Sequence, residues 1–555
     1  MKNRYDVIIA GGGGAGVTAA IAAAQAGAKT ALVCKEPVGY GNTRMAVGIT
    51  SCAGLPGDDR QAFVEDLLKS GDGLCNPQLV ETLVDGTRDA LGFLEQLGHT
   101  FVRNEEGYLE GKAINRAGGH TRSRTLNSSG SGVGMGQILR TALQKFPIDL
   151  IEDAFVLDLC RRENMVCGVR ILELATGLEH TLQAGAVVLA TGGGSWLFYP
   201  QTSNNRGSCG DGYALALRHG ARLQDMEQVQ AIPFGITHPD AYRGLLCGEP
   251  VVAGPAGRII DGEGNTVLDG AINSMSRAEV VRAMARPIGN GQTAEHGGLT
   301  LDLTPNMKLD NGSEIRHRIR SSGITDNVLP AYGKKAYDWE KPWEVLPTAH
   351  FFMGGIQADA DGATAVPGLY AAGEVMGGVH GANRLGSAAL AEIMVFGLRA
   401  GRAAAKFAKD HVQPSFSADS IPSPLIGLQG SHRPAHLSRR LQQLMWHHAG
   451  LVRDRDGLLI ALAGVDALQA EAGDLSVSKE QIYNGDLRDA VELDFMLQTA
   501  KLVLISALER EESRGAHLRS DFPQHGGSNW EQNIVLWQDD SGQIRHCQER
   551  CGHKQ

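Results

Sequence analysis

The sequence predicts an α/β fold in which a Rossmann-like, dinucleotide-binding sheet is interrupted by an inserted unit. Three stretches carry that expectation. "DVIIAGGGGAGVTAAIAAAQAGAKTALVCKE" reads as strand, glycine turn, helix, strand; "AGAVVLATGGG" is a buried strand running into glycines at Thr191 to Gly194; "VPGLYAAGEVMGG" is a third, delivering Glu374 to a glycine turn. Short apolar, β-branched runs bounded by glycine read as buried parallel strands. Three such junctions, far apart in sequence, suit a two-dinucleotide or flavin fold with a domain inserted. A simple nicotinamide dehydrogenase does not need the third.

The first junction is the most specific. Gly11, Gly13 and Gly16 fit GxGxxG: the first makes the tight turn, the second lets a pyrophosphate touch the backbone, and the third lets the helix pack on the strand. The helix start offers unpaired N–H groups and a positive dipole end to that pyrophosphate. One element departs from the fingerprint. The second strand should end in an acid that holds a ribose hydroxyl, but Cys34 stands there and Glu36 comes two residues late, so ribose recognition is left open.

Composition excludes several function classes. The 555 residues exceed one hydrophobic core, and 42% hydrophobic with 21% charged residues describe an ordinary globular protein. A formal net charge of −10 with no basic run argues against nucleic acid. No apolar run of about 18 residues exists to span a bilayer. The chain enters a strand at "RYDVIIA" with no charged n-region before it, so no secretory leader is expected. Nine scattered cysteines suit reduced thiols and a cytoplasmic location. They form no haem or iron–sulfur spacing. The Cys547–Cys551 pair reads as incidental, and adjacent His447 and His448 point about 100° apart on a helix, so no metal is expected.

Eight motifs in order, "GGGGAG", "VVLATGGG", "GDGYALALRHGARLQDMEQVQ", "SRAEVVRAM", "LPTAHFFMGGI", "VPGLYAAGEV", "HGANRLG" and "REESRGAHLRSDFP", resemble the flavoprotein subunit of succinate dehydrogenase and fumarate reductase, with L-aspartate oxidase as a relative. The resemblance runs nearly end to end. It implies a Rossmann-like FAD-binding domain in two parts, 1–234 and 350–412, an inserted α+β capping domain at 235–349, a C-terminal helical domain at 428–515 and a tail at 516–555. The Pro- and Ser-rich stretch 411–427 reads independently as the linker to that helical domain.

The resemblance also implies a site. FAD would contact Gly11, Gly13, Gly14, Ala15 and Gly16 in the turn, Cys34 and Lys35 after the second strand, and Asn42, Thr43 and Gly48 beyond it. Thr191, Gly192, Asp211, Glu374, Ala389 and Leu390 complete its surroundings. Arg384 in "HGANR" matches the family's substrate-carboxylate clamp, whose planar fork can hold both oxygens of a carboxylate, and His350 is its partner on the same anion. Arg277 matches the proton-transfer arginine, with Arg282 five residues on. As a relay an arginine needs a neighbouring carboxylate, because its own pKa lies above ~12. The family places Asp directly after it; here Ala278 stands there and Glu279 follows. His380 either contacts flavin or substrate or braces its loop, and Asn383 braces the turn.

The departures narrow the substrate. Asn42 replaces the histidine that succinate dehydrogenase joins covalently to flavin, so FAD is expected to be non-covalent. Val47 stands where the family has a substrate-facing glutamine. In "VQAIPF", Ile232 and Phe234 replace a histidine and a threonine that serve the second carboxylate. Burying a carboxylate against such side chains would cost several kcal/mol. The expectation is therefore a small anionic substrate with one anion on Arg384 and His350 and an apolar portion towards Val47, Ile232 and Phe234, unless His238 or Arg243 of the cap supplies new donors. The main reading is an FAD-dependent dehydrogenase or reductase of a CH–CH bond, passing electrons to or from an external partner; a separate ferredoxin-like iron–sulfur subunit is the family's habit. The alternatives are a flavin oxidase like L-aspartate oxidase and a non-catalytic subunit.

Overall fold

The computed structural model describes residues 3–110, 114–411 and 420–551. Its main sheet is built on Arg4–Ala10, whose Val7 to Ala10 are buried. Parallel strands lie in the order Ile148–Ile151, Thr30–Val33, Arg4–Ala10, Leu178–Leu189, Leu369–Ala371. Ala10 sits opposite both Val33 and Leu189, and Ala371 opposite Leu189. These four strands therefore end flush, and Gly11, Cys34, Ala190 and Ala372 leave the sheet at one edge. The chain builds outward to one side of Arg4–Ala10 and then returns to the other, so this edge is a topological switch point, where open parallel sheets bind ligands.

Leu178–Leu189 is shared between two pairings. Its first half runs antiparallel to Met165–Glu173, which continues to Ala154–Arg162, and to Ser420–Pro422; its second half joins the parallel set. Residues 412–419 of the linker read at 411–427 lie outside the described residues.

The helix Gly14–Gln25 crosses the later helix Ala388–Asp410 with backbones in contact. A Cβ on Gly397 would stand 2.8 Å from the Ala15 carbonyl oxygen, and one on Gly401 2.2 Å from that of Ala19. Glycines four apart thus let two helices from opposite ends of the domain meet and share its core.

The cap has a core of its own, drawn from residues between Phe234 and Val345. Its sheet is antiparallel throughout, in the order Leu246–Gly248, Val229–Ile236, Trp343–Phe352, Leu299–Asp302, Arg258–Ile260, Thr266–Asp269. The chain enters the cap along Val229–Ile236 and returns along Trp343–Phe352, and these two strands pair with each other. The helix Arg277–Gly289 opens with a capping box between Ser276 and Glu279.

The C-terminal helices Pro434–Ala449, Arg455–Glu471 and Gly485–Glu509 form no separate core; Leu441, Leu458 and Leu504 are buried in the same cluster as Ile8 and Val188. Residues beyond 516, expected as a tail, fold into the hairpin Gln532–Gln538 and Ile544–Arg550, which joins Leu223–Gln224 and Gly355–Ile356 in a four-stranded sheet. Among the described residues no helix is long and apolar enough to cross a membrane.

Candidate active site

A large cleft lies along the flush edge of the main sheet and runs on between that sheet and the cap. Gly11, Gly13, Gly14 and Ala15 line one end. Gly11 has φ +118°, and a Cβ on Gly16 would fall 1.8 Å from the Gly11 carbonyl oxygen; Gly16 is absent from the cleft wall because it serves this helix–strand contact. Gly13 offers the helix no side-chain cap, so first-turn N–H groups remain for an anion. Thr43 Oγ1 accepts the Gly14 N–H at 3.0 Å. A second helix start, at Ala389 and Leu390, opens into the same cleft, again without a side-chain cap.

The remaining cofactor candidates surround this space. Cys34 is buried at the strand end and its thiol is pushed far up by burial. Lys35 Nζ pairs with Asp211 at 2.8 Å; burial opposes its charge, but Asp211 and Glu492 outweigh that and raise its pKa. Glu36 accepts from Asn205 Nδ2 at 3.1 Å and Arg488 Nη2 at 3.2 Å. Asn42 donates to Asn204 Oδ1 at 2.6 Å and Ser208 Oγ at 2.9 Å and accepts the Asn205 N–H at 3.1 Å. Gly48 takes φ +81° against Ser131. Thr191 and Gly192 line the cleft, and the buried Thr191 hydroxyl has no partner. Glu374 accepts the Phe352 N–H at 3.0 Å, and a Cβ on Gly193 would stand 2.1 Å from its Oε1. Burial, reinforced by Glu392, pushes its carboxyl up to about 7. Two uncapped helix starts, a glycine cradle and an orphan hydroxyl on one cleft fit a dinucleotide laid along the sheet edge.

Beyond this end, Arg384, His350 and Arg277 line the cleft together. Arg384 is 5% exposed, its Nε has no acceptor, and no carboxylate pairs with it among the described residues. Its guanidinium lies 4.6 Å over the Phe351 ring, a contact worth far less than an ion pair's desolvation. Burial and the neighbouring Arg277 hold it down to about 9. His350 Nδ1 sits 2.8 Å from Ser203 Oγ. Burial and the cations Arg384 and Arg277 keep its pKa well below the usual imidazole value, so the ring is neutral. With Ser203 donating to Nδ1, it offers Nε2–H.

Arg277 is placed differently from Arg384. Its Nε donates to Glu249 Oε2 at 2.8 Å and its Nη2 to the other oxygen, a two-pronged pair, while Nη1 donates to Gln230 Oε1 at 3.0 Å. Gln230 Nε2 in turn donates to the Arg384 carbonyl and to Asn383 Oδ1, both at 2.8 Å. Glu279 is not the partner carboxylate: it is spent on the capping box, accepting the Ser276 N–H at 2.7 Å. Sequence reading missed Glu249, because it lies on a cap segment with no fixed spacing to Arg277. Gln230 was missed as well: the pairing shifts between Gln230 and Ala231, so its spacing to Ile232 does not set its face.

Two of the four pocket candidates are where the substitutions put them: Val47 and Ile232 line the cleft, joined by Leu245, Leu246 and Phe351. Phe234 does not. It is fully buried in the cap core, because the pairing shifts between Ile232 and Gly235, and a bulge breaks the period of two that would keep the two side chains together. His380 is also behind the wall: its Nε2 lies 3.3 Å from Glu392 Oε2 and its ring edge faces Phe351 at 5.4 Å, so it braces the loop. Asn383 is a brace too, bonded to Ser70 and Gln230. His238 packs on His296 and Tyr332, and Arg243 reaches the His296 carbonyl. Neither lines the cleft.

Known proteins resemble this chain in sequence and fold. The "FAD binding domain" family model matches residues 6–390 and the "Fumarate reductase flavoprotein C-term" model residues 438–550. The chain is 36% identical over 544 residues to one of the subunits of the fumarate reductase (CoM/CoB) of Methanothermobacter marburgensis, covering 96% of each. It is 33% identical to the L-aspartate oxidase of Streptomyces coelicolor, covering 96% of this chain and 91% of that one. The E. coli quinol fumarate reductase FrdA chain superposes with a TM-score of 0.88 at 27% identity, over 99% of this chain and 97% of the other. A sheet edge shaped for a dinucleotide, two arginines on its cleft and these matches agree: the chain belongs to the succinate dehydrogenase/fumarate reductase flavoprotein family and is an FAD-dependent oxidoreductase.

Proposed function

We propose that this enzyme oxidises or reduces a CH–CH bond in a small substrate that carries one anionic group. The observation that carries the reading is Arg384: a buried guanidinium with no carboxylate pairing with it among the described residues, on a cleft also lined by Ile232 and Leu246. A cation held that way is costly until an anion arrives. The substrate anion takes the free fork of Arg384 and the Nε2–H of His350, and the apolar wall excludes water from the rest of the molecule. A second carboxylate at Ile232 would have no donor.

Bound FAD supplies hydride transfer at N5 when the substrate carbon lies against it. Gly11 to Ala15, Asn42, Thr43, Gly48, Thr191, Asp211, Glu374, Ala389 and Leu390 would hold it. With the Asn42 amide engaged on three sides, FAD binds without a covalent bond, and acid precipitation should release the yellow colour into the supernatant. Arg277 handles the proton at the neighbouring carbon. Glu249 makes that chemistry available by holding the guanidinium in a fixed fork and by exchanging a proton with it as the substrate presses close.

Electrons pass to or from an external partner. A ferredoxin-like iron–sulfur subunit suits this, since several relatives are themselves named as subunits. All nine cysteines are free thiols, which favours a cytoplasmic location. The test is anaerobic reoxidation of the reduced flavin by a panel of enoates. Monoanionic enoates with an apolar substituent should reoxidise it faster than fumarate, and Ile232→His should shift the ratio towards fumarate. Equal rates with fumarate and a phenyl-substituted enoate would overturn the one-anion reading. Reduction by an amino acid, with peroxide formed once air is admitted, would replace it with the L-aspartate oxidase activity.

A further inference from the structure

The cap sheet brings together, at one end, three residues that the cleft leaves unused: His238, His296 and Glu344. One donor atom from each lies within 4.8 Å of the other two, and none of the three lines the flavin cleft. The juxtaposition follows from strand register. Val345 sits opposite both Ile236 and Leu299, on its two neighbouring strands. His238 follows the end of the first neighbour, His296 precedes the start of the second, and Glu344 stands near the start of the strand between them.

The surroundings are those of a ligand set. His238 Nδ1 is 3.0 Å from Thr237 Oγ1, which is 3.2 Å from the Tyr332 hydroxyl, which donates to the Glu344 carbonyl at 2.6 Å. Bonding one ring nitrogen in this way fixes the tautomer and leaves Nε2 for a metal, the usual outer arrangement of a ligating histidine. The Glu344 carboxylate is buried and held by the N–H groups of His296, at 3.1 and 3.2 Å, and of Gly298, at 2.7 Å. Among the described residues no lysine or arginine forms an ion pair with it. The two imidazoles lie 4.0 Å apart between ring centres. A single divalent cation would satisfy the carboxylate and both rings at once.

We propose that His238, His296 and Glu344 form a divalent-cation site that ties three strands of the cap together, with zinc the metal its donors suit. Two imidazoles and one carboxylate match zinc, which binds such donors at about 2.0–2.2 Å. Donors around a tetrahedral ion at that range stand about 3.3–3.6 Å apart, inside the 4.8 Å within which the three donor atoms lie. A fourth position is left for water. Magnesium, which demands oxygen donors in an octahedron, is excluded by the same set.

The test uses the FAD-loaded protein, stripped with a chelator and titrated with Zn²⁺, with Mg²⁺ as the control. One Zn²⁺ should bind per chain. His238→Ala and His296→Ala should each weaken binding at least tenfold while retaining full flavin content, which reports that they fold. His447→Ala, altering the adjacent histidine pair elsewhere, should bind as the parent does. Co²⁺ in place of Zn²⁺ should give visible bands in the parent and lose them in both cap variants. Failure of the parent to take up a stoichiometric Zn²⁺ would overturn the site. So would unchanged affinity in both cap variants, or loss of binding only in His447→Ala.

Discussion

Arg384 and Arg510 are both hidden from solvent, and their surroundings are opposite. Arg510 Nε donates to Glu227 Oε1 at 2.6 Å, Nη2 to Asp225 Oδ1 and Nη1 to Glu512 Oε1, each at 3.1 Å, and carbonyls of Trp530 and Gln532 take further N–H groups. Arg453 and His517 extend the network. Burial disfavours the Arg510 charge, yet Glu227 and Asp225 outweigh it and raise its pKa. Arg384 has no such carboxylates, and burial lowers it. The same side chain is therefore a finished structural joint in one place and half of an ion pair in the other. On the proposed reading, the substrate's anion is the missing half.

Removing each arginine separates the two roles. Arg510→Met should cause the largest change, a loss of about 3–5 kcal/mol of stability, because Asp225 and Glu227 stay buried without their cation; denaturant unfolding measures it. A loss below about 1 kcal/mol would mean that the network relaxes and that the contrast is weaker than drawn. Arg384→Ala should do the reverse. Its kcat/KM should fall by about 10²–10³-fold, the cost of a lost charge-assisted anion contact, with FAD content kept and the melting temperature no lower than the parent's. Destabilisation with activity retained would place Arg384 in the structural class.

Glu249→Gln tests the third arginine, which stands between these extremes. Removing the charge behind Arg277 should lower kcat by about 10²-fold, the scale of one acid–base contribution, while KM changes little. An unchanged kcat would reduce the Arg277–Glu249 pair to a structural one. The smallest effect is in pH dependence. The profile of kcat/KM reports free-enzyme groups. Arg384 is held down to about 9, so the guanidinium is charged below that pH and loses its proton above it. The Arg384 contribution to the profile should hold up to about pH 9 and then fall. His350 is neutral throughout, its pKa lying well below 6.5, so it should add no inflection near 6.5. Glu374 is held up to about 7, so an inflection in that region that Glu374→Gln leaves in place would mean that His350 binds the anion as a cation.

Much of the fold was legible because glycine and apolar runs carry local geometry. "GGGGAG", "VVLATGGG" and "VPGLYAAGEV" announced strands running into glycine turns; that these strands end flush on one edge came from the pairing register. Phe234 was assigned to the pocket from the "VQAIPF" match and lies in the cap core instead, because a register shift between Ile232 and Gly235 is invisible in a string of letters. The C-terminal residues expected as a tail pair with a strand far earlier in the chain, Leu536 with Leu223 and Val535 with Gln224, a contact no local pattern encodes. Glu249 escaped for the same reason: its link to Arg277 spans 28 residues and two elements of the cap.

The sequence by itself determined where backbone must approach closely and which side chains are chemically able to hold an anion, since both follow from residue type and short-range spacing. It could not say which arginines are already satisfied. "HGANRLG" and "REESRGAHLRSDFP" look alike as arginines among small and polar residues, and only tertiary structure decided that the first faces an apolar cleft while the second is wrapped in carboxylates. A charge's role depends on what surrounds it at 3 Å, and in a folded chain those neighbours come from anywhere in the sequence.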